Sequence, residues 1–545
     1  MVATNLMAQD VEQLAQQKPV QLTGNFSARA IMYNATGINA RRQPFSWILS
    51  GSPTLKLYGF DIPFSFSLSE QDRSFSQPFN QFGLSPTYKW ITVHGGYRNL
   101  SFSPYTLDGH TILGAGIEIK PKGFSLAIMH GRLNRATTLD TTFGTLQPFS
   151  FSRKGTAVKI TAGDTKNYFS ISAIKAQDDS ASVQLQQSLK QNIKAAQNTA
   201  ASVDFRQEYK NGVFVEGDAA VSIYTNDMHS NLKIADSNGW VKSFSKIITI
   251  NATTQANTAY RAAAGIIKKN YSIKAEYKYI SPDYKSMGVY FFNSDIESIT
   301  INPSFNIKNT FIFNGSIGTL RDNLKNQKQA TTKRLISMAN ATINLSQKFG
   351  IDASVTNFSA NATPVVVQIQ NKYLLTQSNS NISITPRYTT SNTRSSHVIM
   401  FSYNKASLTD KNEQTATENT INTNILLFNY VYSIFKSALT IGITANKTTN
   451  TFSLGNFNNT GAGITLSKAW FKNKLQTSFN GNYTNSKSAN DENNFITAQV
   501  NIDIQLLKPG KLNLRYALLN NKPTQTIQNN GFAENTFEVG YNYHF

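Results

Sequence analysis

Apolar and polar residues alternate along the chain, short turns alternate with long polar loops, and no apolar run approaches the roughly 18 residues a membrane helix needs. Together these predict an all-β protein: a single large antiparallel up-and-down β-barrel that crosses a membrane with its strands. Of the 545 residues only 40% are hydrophobic and 15% charged, under the ~25% charge of an average soluble domain. Asn, Ser and Thr make up the difference. The 35 Phe and 23 Tyr give ample surface to bury, which excludes an intrinsically disordered chain. Cysteine is absent, so disulfides, a thiolate nucleophile and cysteine-ligated zinc are excluded as well.

Residues 1–9 lack the charged start and apolar core of a secretory signal, yet Leu6-Met7-Ala8-Gln9 reads like the tail of one. Residues 10–19 read as a polar N-terminal tail, and Val20 opens the first strand of a barrel expected to run to Phe545. In Pro63 to Ser69, Phe64, Phe66 and Leu68 share one face and the serines the other. Near the end, Ile502, Ile504 and Leu506 alternate with Asn501, Asp503 and Gln505.

Short turns are expected at Pro121-Lys122-Gly123, Gly163 to Asn167, Asn211-Gly212, Lys268 to Asn270, Lys308-Asn309, Gln347-Lys348, Phe471 to Lys474 and Lys508-Pro509-Gly510. Long polar loops are expected at Arg132 to Gly155, Gln177 to Asn198, Asn226 to Gln255, Arg321 to Thr332 and Lys405 to Asn419. Ala181 to Ala201, with Val183, Leu185, Leu189, Ile193 and Ala196 spaced as on a helix face, reads as a solvated loop with residual helicity. The expected count is about 24 strands, with Tyr88 to Arg98 taken into one long loop, Gln71 to Thr111. The alternative is 26, with that segment a strand and a partner beside it. No blade-length or β-helix repeat supports a propeller or solenoid.

The final strand sets Phe537, Val539, Tyr541, Tyr543 and Phe545 against Glu538, Gly540, Asn542 and His544. In Glu538, Gly540, Tyr543 and Phe545 it resembles the C-terminal assembly signal of Gram-negative outer-membrane β-barrel proteins. The resemblance implies insertion into the outer membrane by the barrel-assembly machinery, with short turns in the periplasm and long loops outside. Aromatics beside the short turns, Tyr58, Phe60, Phe124, Tyr168, Phe169, Tyr271, Phe349, Tyr432, Phe435, Trp470 and Phe471, suit an interfacial girdle.

The formal net charge of +21 is spread singly along the chain. It speaks against nucleic acid as a partner and for outer-membrane lipid and lipopolysaccharide, or a channel wall. Val20 already opens a strand and the first half reads like the second, so neither a plugged transporter nor a passenger-bearing barrel is expected. A lumen this wide needs an obstruction. Its candidate is Gln71 to Thr111, whose His94, Tyr97, Arg98, Tyr105, Asp108 and His110 are the expected constriction residues beside a Gly95-Gly96 turn. Lys274, Glu276, Lys278, Asp503, Lys511 and Arg515 are the expected lumen-facing charges.

His94, Asp108 and Ser101 or Ser103 form the best catalytic triad the sequence offers, three common residue types without a motif, so no catalytic residue is assigned. No metal or cofactor site is expected either. The functional expectation is a porin-like channel for small solutes. The alternative is a structural barrel within a larger outer-membrane complex, its lumen filled by loops or by protein partners.

Overall fold

A computed structural model describes residues 20–57, 60–69, 83–137, 150–183, 194–232, 245–290, 293–364, 376–410, 412, 419–453, 455–489, 491–507, 509–524 and 531–545. Residues 1–19, which include the signal-like start and the tail, lie outside them. Among the described residues 29 strand segments join in one sheet. Three wall positions are each built from two segments: Val20–Thr23 with Asn25–Thr36, Phe45–Gly51 with Thr54–Leu57, and Gly83–Leu84 with Thr87–Tyr88. The wall is therefore a nearly closed antiparallel barrel of 26 strands.

Pairing leads around the ring and brings Phe532–His544 back against Asn25–Thr36, with Asn25 opposite His544 and Thr36 opposite Ala533. At that seam Gly24 N–H donates to Phe545 O at 2.9 Å and Phe545 N–H donates to Gly24 O at 3.1 Å. The thinnest joint lies between Phe60–Ser69 and the two short segments, where only Phe64↔Leu84, Ser65↔Gly83 and Asp61↔Thr87 pair.

The larger of the two counts holds because Ile91–Asn99 is a wall strand, paired with Gly83–Tyr88 on one side and Thr111–Ile119 on the other. Its first partner is split by Ser85-Pro86. Proline lacks the ladder N–H and breaks the alternation that would have revealed a strand. The expected long loop thus shrinks to Leu100–His110, with 70–82 outside the described residues. Gly95-Gly96 is strand and not a turn.

Every short turn expected from sequence joins two consecutive strands. At Lys308-Asn309 both residues take positive φ, 49° and 58°, and Thr310 N–H closes on Ile307 O at 2.9 Å. This is the mirror-image turn that matches strand twist. Of the helical reading at Ala181 to Ala201, 184–193 lies outside the described residues, and Gln197–Glu208 is strand. Cross-strand pairing with Tyr168–Asp179 wins there over local helical spacing.

Because the side-chain period is 2, register assigns each residue a face. One face carries exposed apolar residues all around, among them Phe169 at 50%, Ile299 at 54% and Ile317 at 52%. Near the short turns it carries Phe124, Tyr271, Phe349, Phe435, Trp470 and Phe471, all exposed. An apolar band on this scale requires hydrocarbon around it.

At the long-loop end, Asp295 fastens the Arg321 to Thr332 connection. Its carboxylate accepts from Asn323 N–H at 3.0 Å and Leu324 N–H at 2.8 Å and pairs with Lys328. Burial by itself raises this carboxyl, but the Lys328 ammonium and the two amides outweigh it and hold it below its usual value. A depressed carboxyl stabilises the folded loop above the unfolded pKa of about 4 and loses that contribution as pH falls through the lower folded value. Protection of the Asn323 and Leu324 amides against exchange, relative to the intrinsic rate at the same pH, is expected to hold above about pH 4 and to fall below it. Asp295→Asn should lose that protection at neutral pH too, and equal protection in both proteins would contradict the bracket.

Candidate solute pathway

The inner face is not uniform. Across four neighbouring strands, Gly96, Gly114, Gly131 and Gly155 stand directly opposite one another, all on the face of Met129 and Ala157, which are 0% and 1% exposed. A Cβ on Gly114 would meet His130 O at 1.9 Å, and one on Gly131 would meet Leu113 O at 2.4 Å. The row makes a trough in the wall, and Leu100–His110 folds down beside it. Phe102 and Leu107 pack with Ile112, Met129, Leu133, Ala157, Ile174, Ala176 and Ala200.

A second inward segment, absent from the sequence reading, is the connection 281–290. Gly288–Val289 pairs in parallel with Leu107–Asp108, a two-stranded sheet apart from the wall. Tyr284 donates to Tyr105 O at 2.9 Å, and the rings meet edge-on at 6.2 Å. Met287 N–H donates to the Asn198 side chain at 3.0 Å, Ser222 donates to Lys285 O, and Thr106 meets Ser172 at 2.9 Å. The serines at 170, 172, 202 and 222 are inward and buried; Ser172 and Ser222 bond the two loops, while Ser170 bonds Thr161 and Ser202 bonds Ser172 within the wall.

Toward the short-turn end of the same wall lies a charge network. Arg261 reaches Asp218 at 2.5 Å, Glu216 at 3.2 Å and Glu276 at 3.3 Å. Lys274 meets Glu216 and Glu276 at 2.9 Å each, and Arg206 meets Glu216 at 2.7 Å. Tyr105, on the first loop, lies within the field of this network. Burial, and then the Asp218 charge, push its phenol up to about 12, so it enters the lumen as a neutral hydroxyl.

The six constriction candidates divide. Tyr105 and His110 lie on the inward loop, where His110 stacks on Tyr290 at 3.8 Å and burial lowers its imidazole. Asp108 accepts from Ser101 at 2.6 Å. Arg98 is inward on the wall, and its Nε and Nη2 are buried with no partner among the described residues. Tyr97 does not join them: register with Leu113 puts it beside Val93 on the outward face, the result of its odd position in a strand.

His94 is inward but is held in the wall by Ser85 at 2.7 Å and Glu118 at 3.1 Å. It therefore makes no triad with Asp108 and Ser101. Ser85 and His94 are each 6% exposed. Among the described residues no three His, Asp or Glu side chains converge on a metal position.

Lys274, Glu276 and Lys278 share the inward face by register with Arg261 and its neighbours. On the far wall Asp503 pairs with Lys511 at 3.0 Å, and Arg515 donates to Gln499 at 3.0 Å. That wall is bare. Inward Ile336, Met338 and Phe358 are 42%, 43% and 41% exposed, whereas inward residues between Thr111 and Ile280 are largely covered. Among the described residues, the packed filling lies against the Thr111 to Ile280 stretch of the wall.

The sequence matches no protein-family profile, and no curated protein aligns with it. Solved structures that resemble the fold include OccAB4 of Acinetobacter baumannii, with 11% identity, TM-score 0.32, and 70% of this chain against 99% of that one. The FrpB iron transporter of Neisseria meningitidis (F5-1 variant) gives 11% identity, TM-score 0.39, and 98% against 84%. The translocation pore of the P pilus usher PapC gives 10% identity, TM-score 0.36, and 96% against 99%. At these scores the barrel assignment rests on the chain's own strand pairing, which returns from Phe532–His544 to Asn25–Thr36.

Proposed function

We propose that the chain is an integral outer-membrane β-barrel that passes small solutes through a lumen narrowed by two inward loops. The observation that carries this reading is the uneven filling: among the described residues Leu100–His110 and 281–290 cover the wall over the glycine row, while inward Ile336, Met338 and Phe358, three and four strands beyond the covered stretch, stay exposed. The outward apolar band and the terminal strand's match to the assembly signal of such barrels support the membrane and its orientation. Arg98 and the network around Arg261 bring charge into the passage, where the low dielectric of the wall strengthens it.

Purified protein in a planar bilayer should form a stable channel whose conductance is well below that of an open barrel of this size. Arg98→Glu should move the reversal potential toward cation selectivity. Electrical silence in every form would favour the second reading, a structural barrel closed by a partner. Its own support is the cluster Ile336, Met338 and Phe358, in which Ile336 lies directly opposite Phe358. An apolar cluster facing an aqueous lumen is unusual unless something covers it.

A further inference from the structure

On the outward face at the long-loop end, Glu297, Arg321 and Lys333 lie in one row across three adjacent strands, because Glu297 pairs with Arg321 and Arg321 with Lys333. One step down toward the bilayer, Ile299, Thr319 and Leu335 form the next row of that face, with Ile299 and Leu335 54% and 41% exposed. The two rows line a groove of about 400 Å³. To one side Tyr260 and Tyr279 stack at 4.9 Å, and Tyr277 donates to Glu297 at 2.8 Å. Tyrosines with apolar bodies toward the lipid and hydroxyls toward water mark an interfacial level.

Glu297 is thus held by Tyr277 and by Arg321, which fixes the guanidinium over the groove. Lys333 is exposed and has no carboxylate within ion-pair reach among the described residues. The row carries one positive charge in excess directly above bare aliphatic side chains. A ligand that satisfies both levels has an anionic headgroup joined to hydrocarbon chains.

We infer that this groove is a binding site for one phosphorylated, acylated glycolipid of the outer leaflet, its phosphate on Arg321 and Lys333 and an acyl chain along Ile299 and Leu335. The inference rests on the outer-membrane reading above. Asn361, opposite Lys333, lines the groove on the charged row, and Thr319 and Ser359 line it on the row of Ile299 and Leu335.

The test uses the purified full-length barrel in neutral detergent micelles, titrated with diphosphoryl lipid A and followed by native mass spectrometry. One tightly held lipid A per barrel is expected. Arg321→Gln/Lys333→Gln should weaken it at least tenfold, while Lys405→Gln/Lys447→Gln, at other positions of the outward face, should leave it within about twofold. Equal retention of lipid A by the groove variant and the parent would overturn the site. Equal retention of phosphatidylglycerol and lipid A by the parent would overturn the glycolipid assignment. The groove variant should keep the parent's conductance in a planar bilayer, so a barrel that conducts without binding lipid A condemns this inference alone, whereas one that never enters a bilayer condemns the membrane reading.

Discussion

Replacing Leu100–His110 with a two-residue Asn-Gly turn should raise single-channel conductance several-fold. Asn99 and Thr111 are directly opposed at the top of their ladder, so a two-residue hairpin closes the wall without stretching it. What is lost is the inward layer: Phe102 and Leu107 from the packed cluster, Tyr105 over the charge network, and the edge on which Gly288–Val289 pairs. Resistance resides in the narrowest section, so opening it changes the current far more than any alteration of the wide walls. A further change of Tyr284–Val289 to a Gly/Ser run should add to the gain, since Tyr284 and Met287 then leave the lumen too. Conductance equal to that of the parent in both variants would show that neither loop narrows the path.

The double change Tyr543→Ser/Phe545→Ser should cut the amount inserted in the outer membrane at least tenfold. Tyr541, Tyr543 and Phe545 form an outward aromatic run with ring centroids 6.3 and 5.7 Å apart. Phe545 also closes the seam through its backbone bonds with Gly24. Glu538, on the inward side of the same strand, pairs with Arg29 at 3.1 Å, and this link across the closure does not depend on the aromatics. The variant therefore loses outward contacts and the proposed recognition by the assembly machinery while its inner pairing stays possible. Heat-modifiable migration and membrane yield like the parent's would refute the assembly role of Glu538, Gly540, Tyr543 and Phe545.

How much of this was legible in the sequence follows from the kind of signal each element emits. Strands such as Tyr271–Ile280 and Glu492–Leu507 have period 2 over ten residues or more, and turns such as Lys308-Asn309 carry residues that tolerate positive φ. Both are local signals. Gly83–Tyr88 is recognised as wall only through pairing with residues on either side of it, because Pro86 interrupts it. Tyr97 counts as a lumen residue only while 88–98 is read as loop; in a strand, one residue of offset from Arg98 means the opposite face.

The inward loops were half legible. Leu100–His110 stood out by its density of polar and aromatic residues, but 281–290 has no periodicity and is held by hydrogen bonds from distant strands, such as that of Met287 to Asn198. The glycine row was present as Gly96, Gly114, Gly131 and Gly155, visible only once the register of four strands is known. The charge network was read through Lys274 and Glu276, whereas Arg206, Glu216, Asp218 and Arg261 needed the barrel to bring them together.

The most direct test of a membrane-spanning barrel filled unevenly is a single-cysteine scan, which the cysteine-free chain permits without a background. Cysteine is placed at Ser202 and Val203 on the covered wall and at Asn501 and Val500 on the bare one, and the protein is probed in bilayers with a membrane-impermeant, water-soluble thiol reagent. Rapid labelling is expected at Asn501, slow labelling at Ser202 that becomes rapid once Leu100–His110 is removed, and none at Val203 or Val500, which lie on the outward face. Labelling of Val203 and Val500 as fast as Asn501, or equal labelling of Ser202 and Asn501 in the parent, would contradict this reading.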